Sequence, residues 1–202
     1  MNDRLVAGVD EAGRGPLAGP VVAAAVVLAA DYRNAEIRDS KKLSQARREQ
    51  VCRLIRENAV AWSIGAASGL EIDNQNIHRA TLVAMRRAVL GLPCTPDFVI
   101  VDGRFYPELP YPGSACVRAD ETESAVSAAS ILAKVFRDRY MAFLDRKYPE
   151  YGFCQHKGYA TAMHLEVLQS YGPCPDHRRS FRPVASAIQT CPVPKPGERE
   201  QH

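Results

Sequence analysis

What this sequence lacks narrows its function early. Its six cysteines (Cys52, Cys94, Cys116, Cys154, Cys174 and Cys191) include no C-x-x-C pair. Neither a zinc module nor a dense disulfide framework is therefore encoded, and the thiols read as reduced side chains of a cytoplasmic protein. The five histidines never stand four apart with a carboxylate between them, which argues against a histidine-held zinc. No G-x-S-x-G elbow points to a serine hydrolase, and no G-x-x-x-x-G-K-[ST] loop cradles a nucleotide. Long hydrophobic runs are missing too. The most apolar stretch, residues 21–30, is too short to span a bilayer. Asp10, Glu11, Pro16 and Pro20 precede it where a secretory leader would be basic, so it reads as a buried strand. The formal net charge of +3 gives no strong whole-molecule field, so the distribution of charge matters more than its sum.

What is present suggests one α/β domain. At 202 residues with 46% hydrophobic content, the chain can bury a substantial core. Residues 1–190 read as the domain, and residues 191–202, rich in proline and charge, as a disordered tail. Apolar runs predict strands at 5–9, 21–28, 60–67, 98–101 and 115–117. Periodicity of 3.6 predicts helices at 45–58, with Ser44 as cap, and at 77–90, 124–148 and 161–171. Three strands in succession, followed by alternation of strand and helix, predict a mixed sheet.

Asp10-Glu11 and Asp102 end two of these strands, and Asp120 follows the last. If the first and fourth strands are parallel neighbours, Asp10 and Asp102 lie side by side at one sheet edge, where active sites of open α/β sheets gather. Glu11 then either turns away by strand alternation or bends back in the loop. Clustered carboxylates repel, and a cation relieves that repulsion. Oxygen donors without His or Cys favour Mg2+ or Mn2+, and paired ions of this kind hydrolyse phosphodiesters. Spacing alone leaves the plainer alternative standing, in which each acid is a cap, a turn residue or a surface charge.

Gly13-Arg14-Gly15 follows the first acids closely. Its glycines let backbone approach a ligand, and an approach of that kind can read the 2′-hydroxyl that separates RNA from DNA. As an isolated motif it is equally an ordinary tight turn. Basic residues load several helices. Most read as solvated faces; Lys41, Lys42, Lys157, Arg178 and Arg179 are the candidates for phosphate contacts. His156 and His177 read as loop-organising hydrogen bonders rather than bases.

The string from Asp10 to Val21, DEAGRGPLAGPV, resembles the opening motif of the ribonuclease HII family. In the same order follow residues 39–44 (DSKKLS), 101–103 (VDG), 127–135 (SAASILAKV), and 151–159 with 177–181 (HRRSF). The likeness spans roughly residues 4–189. It implies a ribonuclease H-like fold, in which helices flank a mixed five-stranded sheet and a helical extension closes the C-terminus. It implies Asp10, Glu11, Asp102 and Asp120 as catalytic, metal-binding acids using Mn2+ or Mg2+, and Gly13, Arg14 and Gly15 as the 2′-hydroxyl sensor. It implies that Tyr159 packs against the nucleotide beyond the ribonucleotide. The implied activity cuts RNA–DNA hybrids and DNA duplexes with a single ribonucleotide, leaving 5′-phosphate and 3′-hydroxyl ends. Its implied setting is cytoplasmic, in replication and ribonucleotide excision repair, with a monomer as the default. Many bacterial members carry Lys-Gly-Asp at the fourth acid where this chain has Arg118-Ala119-Asp120. Register with the following helix selects Asp120, with Glu121, Glu123 and Asp138 as alternatives. Two rivals remain. A DNA-processing nuclease or strand-transferase would cut all-DNA duplexes equally well. A non-catalytic nucleic-acid-binding module would bind without metal-dependent cleavage.

Overall fold

A computed structural model describes residues 4–32, 37 and 43–190. Lys41 and Lys42, and the segment read as a tail, lie outside the described residues. The strands are β1 (Val6–Ala12), β2 (Val21–Val27), β3 (Ala61–Ala67), β4 (Phe98–Asp102) and β5 (Gly113–Cys116). They form one sheet in the order β3-β2-β1-β4-β5. β2 pairs antiparallel with β1 and β3, while β4 runs parallel to β1 and β5, so the sheet is mixed as the pattern predicts.

β1 runs three residues further than its apolar stretch. The acids lie inside the strand, because Asp10, Glu11 and Ala12 pair with Ala24, Ala23 and Val22 of β2. Hydrophobicity does not report this extension, since the partner strand supplies it. β2, VVAAAVV, is buried throughout, so it lies between two apolar layers.

One layer is helix α2 (Gly69–Leu90), which covers Val9, Ala23, Ala25, Val99 and Val101 with Ala84, Met85 and Ala88. The other is made by α1 (Gln45–Asn58) and α4 (Ser124–Lys147), whose Val51, Ile55, Ile131 and Leu132 pack on Ala24 and Val26. Between β5 and α4 lies the short helix α3 (Ala119–Thr122). After α4 come α5 (Phe153–His156), α6 (Ala162–Tyr171) and α7 (Arg182–Thr190), the helical extension.

α2 starts eight residues before its predicted onset. Ser68 and Glu71 form a reciprocal capping box, the S-x-x-E signature of a helix start. Asn76, at φ 70° and ψ 162°, then breaks the helical dihedrals, so the apolar periodicity becomes regular only after it.

Two glycines set the helix–sheet distance. A Cβ on Gly8 would lie 2.2 Å from the Val126 amide nitrogen, and one on Gly65 would lie 2.1 Å from the Ala84 carbonyl oxygen. α4 and α2 thus rest backbone to backbone on β1 and β3. Among the described residues, no helix is long and apolar enough to cross a membrane.

Candidate active site

The parallel register pairs Val9 with Val101, so the next residues, Asp10 and Asp102, stand side by side on adjacent strands, Asp102 at the end of β4 and Asp10 two residues before the end of β1. This is the juxtaposition the sequence made conditional on parallel neighbours. Side-chain alternation turns Asp10 away from α2, which Val9 faces, and toward α4. The Gly8–Val126 contact fixes the rest. Two residues along a strand advance about 6.7 Å and four along a helix about 6 Å, so Asp10 meets Ser130. The Ser130 hydroxyl is the smallest of the influences on Asp10 and favours its ionised form. Ser130 was not singled out from the sequence. The signal was its i, i+4 spacing from Val126 and to Lys134 on one face of α4.

Asp10 is only 7% exposed. Its Oδ1 accepts the Glu11 amide at 2.7 Å. Burial, then repulsion by Glu11 and Asp102, raises its pKa well above the usual carboxylate range, against the opposing Glu11 amide and Ser130 hydroxyl. Glu11 is raised as well, first by burial, although Arg14 at 3.3 Å pulls it down.

Asp102 accepts the Ala119 amide at 2.8 Å, which ties the start of α3 to the end of β4. Asp120, the next residue, is buried at 7% exposure. The alternatives differ in setting. Glu121 and Glu123 are exposed, with Glu121 paired to Arg118 at 3.8 Å. Asp138 is held by Lys134 at 2.7 Å.

Among the described residues, no group of three or more His, Cys, Asp or Glu side chains is arranged to hold a metal ion. The donor set nevertheless fits a hard divalent cation. It is all oxygen, partly buried, and includes two carboxylates, Asp10 and Glu11, whose ionisation is opposed by burial and by Asp102, a cost a bound cation offsets.

A cavity of about 330 Å³ opens beside Glu11, walled by Gly13, Arg48, Ser130, Lys134 and Tyr159. A second, of about 430 Å³, opens beside Asp102 and is walled by Arg14, His78, Arg104 and Phe105. The acids and the glycine turn lie between them. Arg48, Lys134, Arg104 and Phe105 line this surface without standing out in the sequence, where they read as ordinary helix or loop residues.

Gly13 takes φ 93°, and a Cβ there would sit 1.9 Å from the Arg137 Nε. The position is therefore barred to other residues by conformation and by space. Gly15 lies against the Tyr159 ring, 3.6 Å from where its Cβ would be, and Tyr159 is 46% exposed. Lys157 is half-buried at φ 51°, and Arg179 is exposed.

Arg178, expected on the surface as a phosphate contact, is instead fully buried. Its guanidinium donates to the Gly19, Arg14 and Gly13 carbonyls at 2.9, 2.8 and 2.6 Å. The three N–H groups a phosphate would use there are spent on the glycine turn.

The Tyr159 loop rests on three buried histidines. His156 Nδ1 accepts the Gly158 amide at 3.1 Å, so its Nε2 donates to the Tyr151 carbonyl at 2.7 Å. His164 donates from Nδ1 to the Tyr159 carbonyl at 2.9 Å. Its Nε2 then accepts from His177 Nε2 at 3.0 Å, and His177 Nδ1 accepts the Cys174 amide at 3.1 Å. All three rings are neutral in this scheme. Burial lowers His164 to about 4 and His177 to about 3, and it pushes the Cys174 thiol up to about 12. The group organises a loop rather than moving protons.

A mixed sheet with acids side by side on adjacent parallel strands and helices on both faces defines a nuclease of the ribonuclease H type. The family model described as Ribonuclease HII matches residues 7–184. A protein named Ribonuclease HII from Acidovorax sp. (strain JS42) is 58% identical over 92% of this chain and 88% of its own. The crystal structure of the ribonuclease H2 from Pyrococcus horikoshii OT3 superposes with a TM-score of 0.78 at 28% identity, covering 92% of this chain and 97% of that one. Bst-RNase HIII in complex with Mn2+ shares the fold, with a TM-score of 0.70 at 20% identity over 92% of this chain and 70% of that one. The chain belongs to the ribonuclease HII family. It is a ribonuclease H enzyme, an endoribonuclease acting on RNA–DNA hybrids, of a divalent-metal-dependent family.

Proposed function

We propose that this enzyme also incises DNA duplexes at single ribonucleotides, and that Asp10, Glu11, Asp102 and Asp120 hold two Mn2+ or Mg2+ ions. The observation that carries this reading is the register that sets Asp10 beside Asp102, with the glycine turn leaving the same strand. When bound, such ions supply an activated water and countercharge for the leaving oxygen. The P–O3′ bond breaks, the water oxygen joins phosphorus, and the products are a 5′-phosphate and a 3′-hydroxyl.

The protein's own part is placement. Ser130 and the Glu11 amide orient Asp10, and the Ala119 amide orients Asp102. Gly13, Arg14 and Gly15 offer backbone to the ribose, where the 2′-hydroxyl distinguishes RNA. Tyr159, beside Gly15, stacks on the neighbouring nucleotide. Lys41, Lys42, Lys157 and Arg179 supply phosphate contacts independent of sequence. The enzyme works as a monomer in the cytoplasm, on ribonucleotides left in DNA.

A duplex with one embedded ribonucleotide, incubated with Mn2+ or Mg2+, tests the reading. One cut at the ribonucleotide is expected. Equal cutting of the all-DNA duplex would reject it. Asp102→Asn should abolish cleavage while substrate binding persists, because one ligand charge is lost and the basic contacts stay. Normal cleavage by that variant would refute the metal assignment.

A further inference from the structure

Two cations are buried directly beneath the glycine turn. Arg137 and Arg178 are 1% and 0% exposed, and among the described residues neither shows an ion pair with a carboxylate within 4.0 Å. Burying an unpaired guanidinium is costly unless its donors are satisfied. Backbone carbonyls satisfy these. Arg178 takes Gly13, Arg14 and Gly19. Arg137 takes Ala18 at 3.1 Å, Pro20 at 3.2 Å and Lys157 at 3.0 Å.

The six carbonyls come from two loops, the turn 13–20 and the loop that carries Tyr159. Main-chain bonds lace the same loops, from the Leu17 amide to the Gly158 carbonyl at 2.7 Å and from the Arg178 amide to the Leu17 carbonyl at 2.8 Å. Carbonyls drawn inward by the guanidiniums fix the peptide planes of the turn, and thereby the groups left on its outer face. Burial and the neighbouring Arg137 pull Arg178 down to about 9, so it remains a cation at neutral pH.

We propose that Arg137 and Arg178 are positioning residues for ribose discrimination: Arg178 holds the carbonyls of Gly13 and Arg14, and Arg137 ties the end of the turn to the Tyr159 loop, in the arrangement that accepts a 2′-hydroxyl. This rests on the reading that the glycine turn senses the ribose. A lysine keeps the charge but has a single nitrogen and cannot span three carbonyls at fork geometry.

The test measures binding in a non-cleaving Asp102→Asn background. One duplex carries a single ribonucleotide and its match is all-deoxy. The parent should bind the ribonucleotide duplex more tightly. Arg178→Lys and Arg137→Lys should lower that ratio by roughly tenfold or to unity, about 1.4 kcal/mol for tenfold, with little change in all-deoxy affinity. A merely structural role would weaken both duplexes together and leave the ratio intact, which would overturn the proposal. A ratio of unity in the parent would instead refute the ribose-sensing reading itself. Should either variant fail to fold, 15N-arginine spectra of the otherwise unaltered Asp102→Asn protein decide. The Arg178 Nε–H signal should be slow to exchange and should shift with the ribonucleotide duplex but not with the all-deoxy one. Identical spectra with both would refute the assignment.

Discussion

Asp10, proposed as a metal ligand, bears on stability in the absence of metal. It is buried beside two other acids and its pKa is raised, so below about pH 4 the folded and unfolded states bind the same proton. As pH rises, the unfolded chain releases that proton first, and the metal-free fold loses stability until the folded pKa is passed. Asp10→Asn should therefore raise the Tm of metal-free protein at neutral pH, leave it unchanged near pH 3, and remove activity. A lower Tm at neutral pH would show that the carboxylate is structurally required instead. Ser130→Ala should lower kcat several-fold with little change in KM, since it frees a buried acid without touching the phosphate contacts. A proportionate rise in KM would place Ser130 in substrate binding.

Between elements, the controlling feature is close approach. Gly8 lets α4 rest on β1 at the height that brings Ser130 over Asp10. Gly8→Ala forces backbone apart, so it should cost on the order of 2–3 kcal/mol and reduce activity beyond the fraction unfolded, as denaturant melts and assays on the same samples would show. Ser68→Ala offers the contrast. It removes the capping box at the start of α2 and should cost about 1 kcal/mol with kcat unchanged. A lower kcat there would tie α2 to the site more directly than its packing indicates.

Across the whole molecule, the C-terminal helices and the sheet are joined through polar groups that must stay neutral or satisfied. His164 and His177 have folded pKa values near 4 and 3, below the unfolded value near 6.5. Their contribution is thus present above about pH 6.5 and lost as pH falls through the folded values. Stability should drop by on the order of 5 kcal/mol between pH 6.5 and 4, about half from each ring, and His164→Gln should flatten that acid limb. An unchanged limb would mean other groups govern acid unfolding.

Much was legible before the fold was known, and for reasons that can be named. Strand and helix identity followed from periodicity, because burial of one face imposes it. The acids stood out because charges directly beyond apolar strands need an explanation, and because the ordered motifs from Asp10 to Phe181 together resemble the ribonuclease HII family far more specifically than any one of them. The sequence did not carry the exact ends of β1 and α2, since a partner strand and a capping box decided those. Nor did it mark Ser130 or Arg137, and it marked Arg178 for a surface phosphate contact where the fold buries it. Arginine is ordinarily a surface residue, and nothing local distinguishes one that faces solvent from one that meets three backbone carbonyls of a distant loop. Composition and order thus determined which chemistry is carried and roughly where. Register, helix height and burial, which arise only when distant segments pack, decided which side chains reach the acids and which hold the turn.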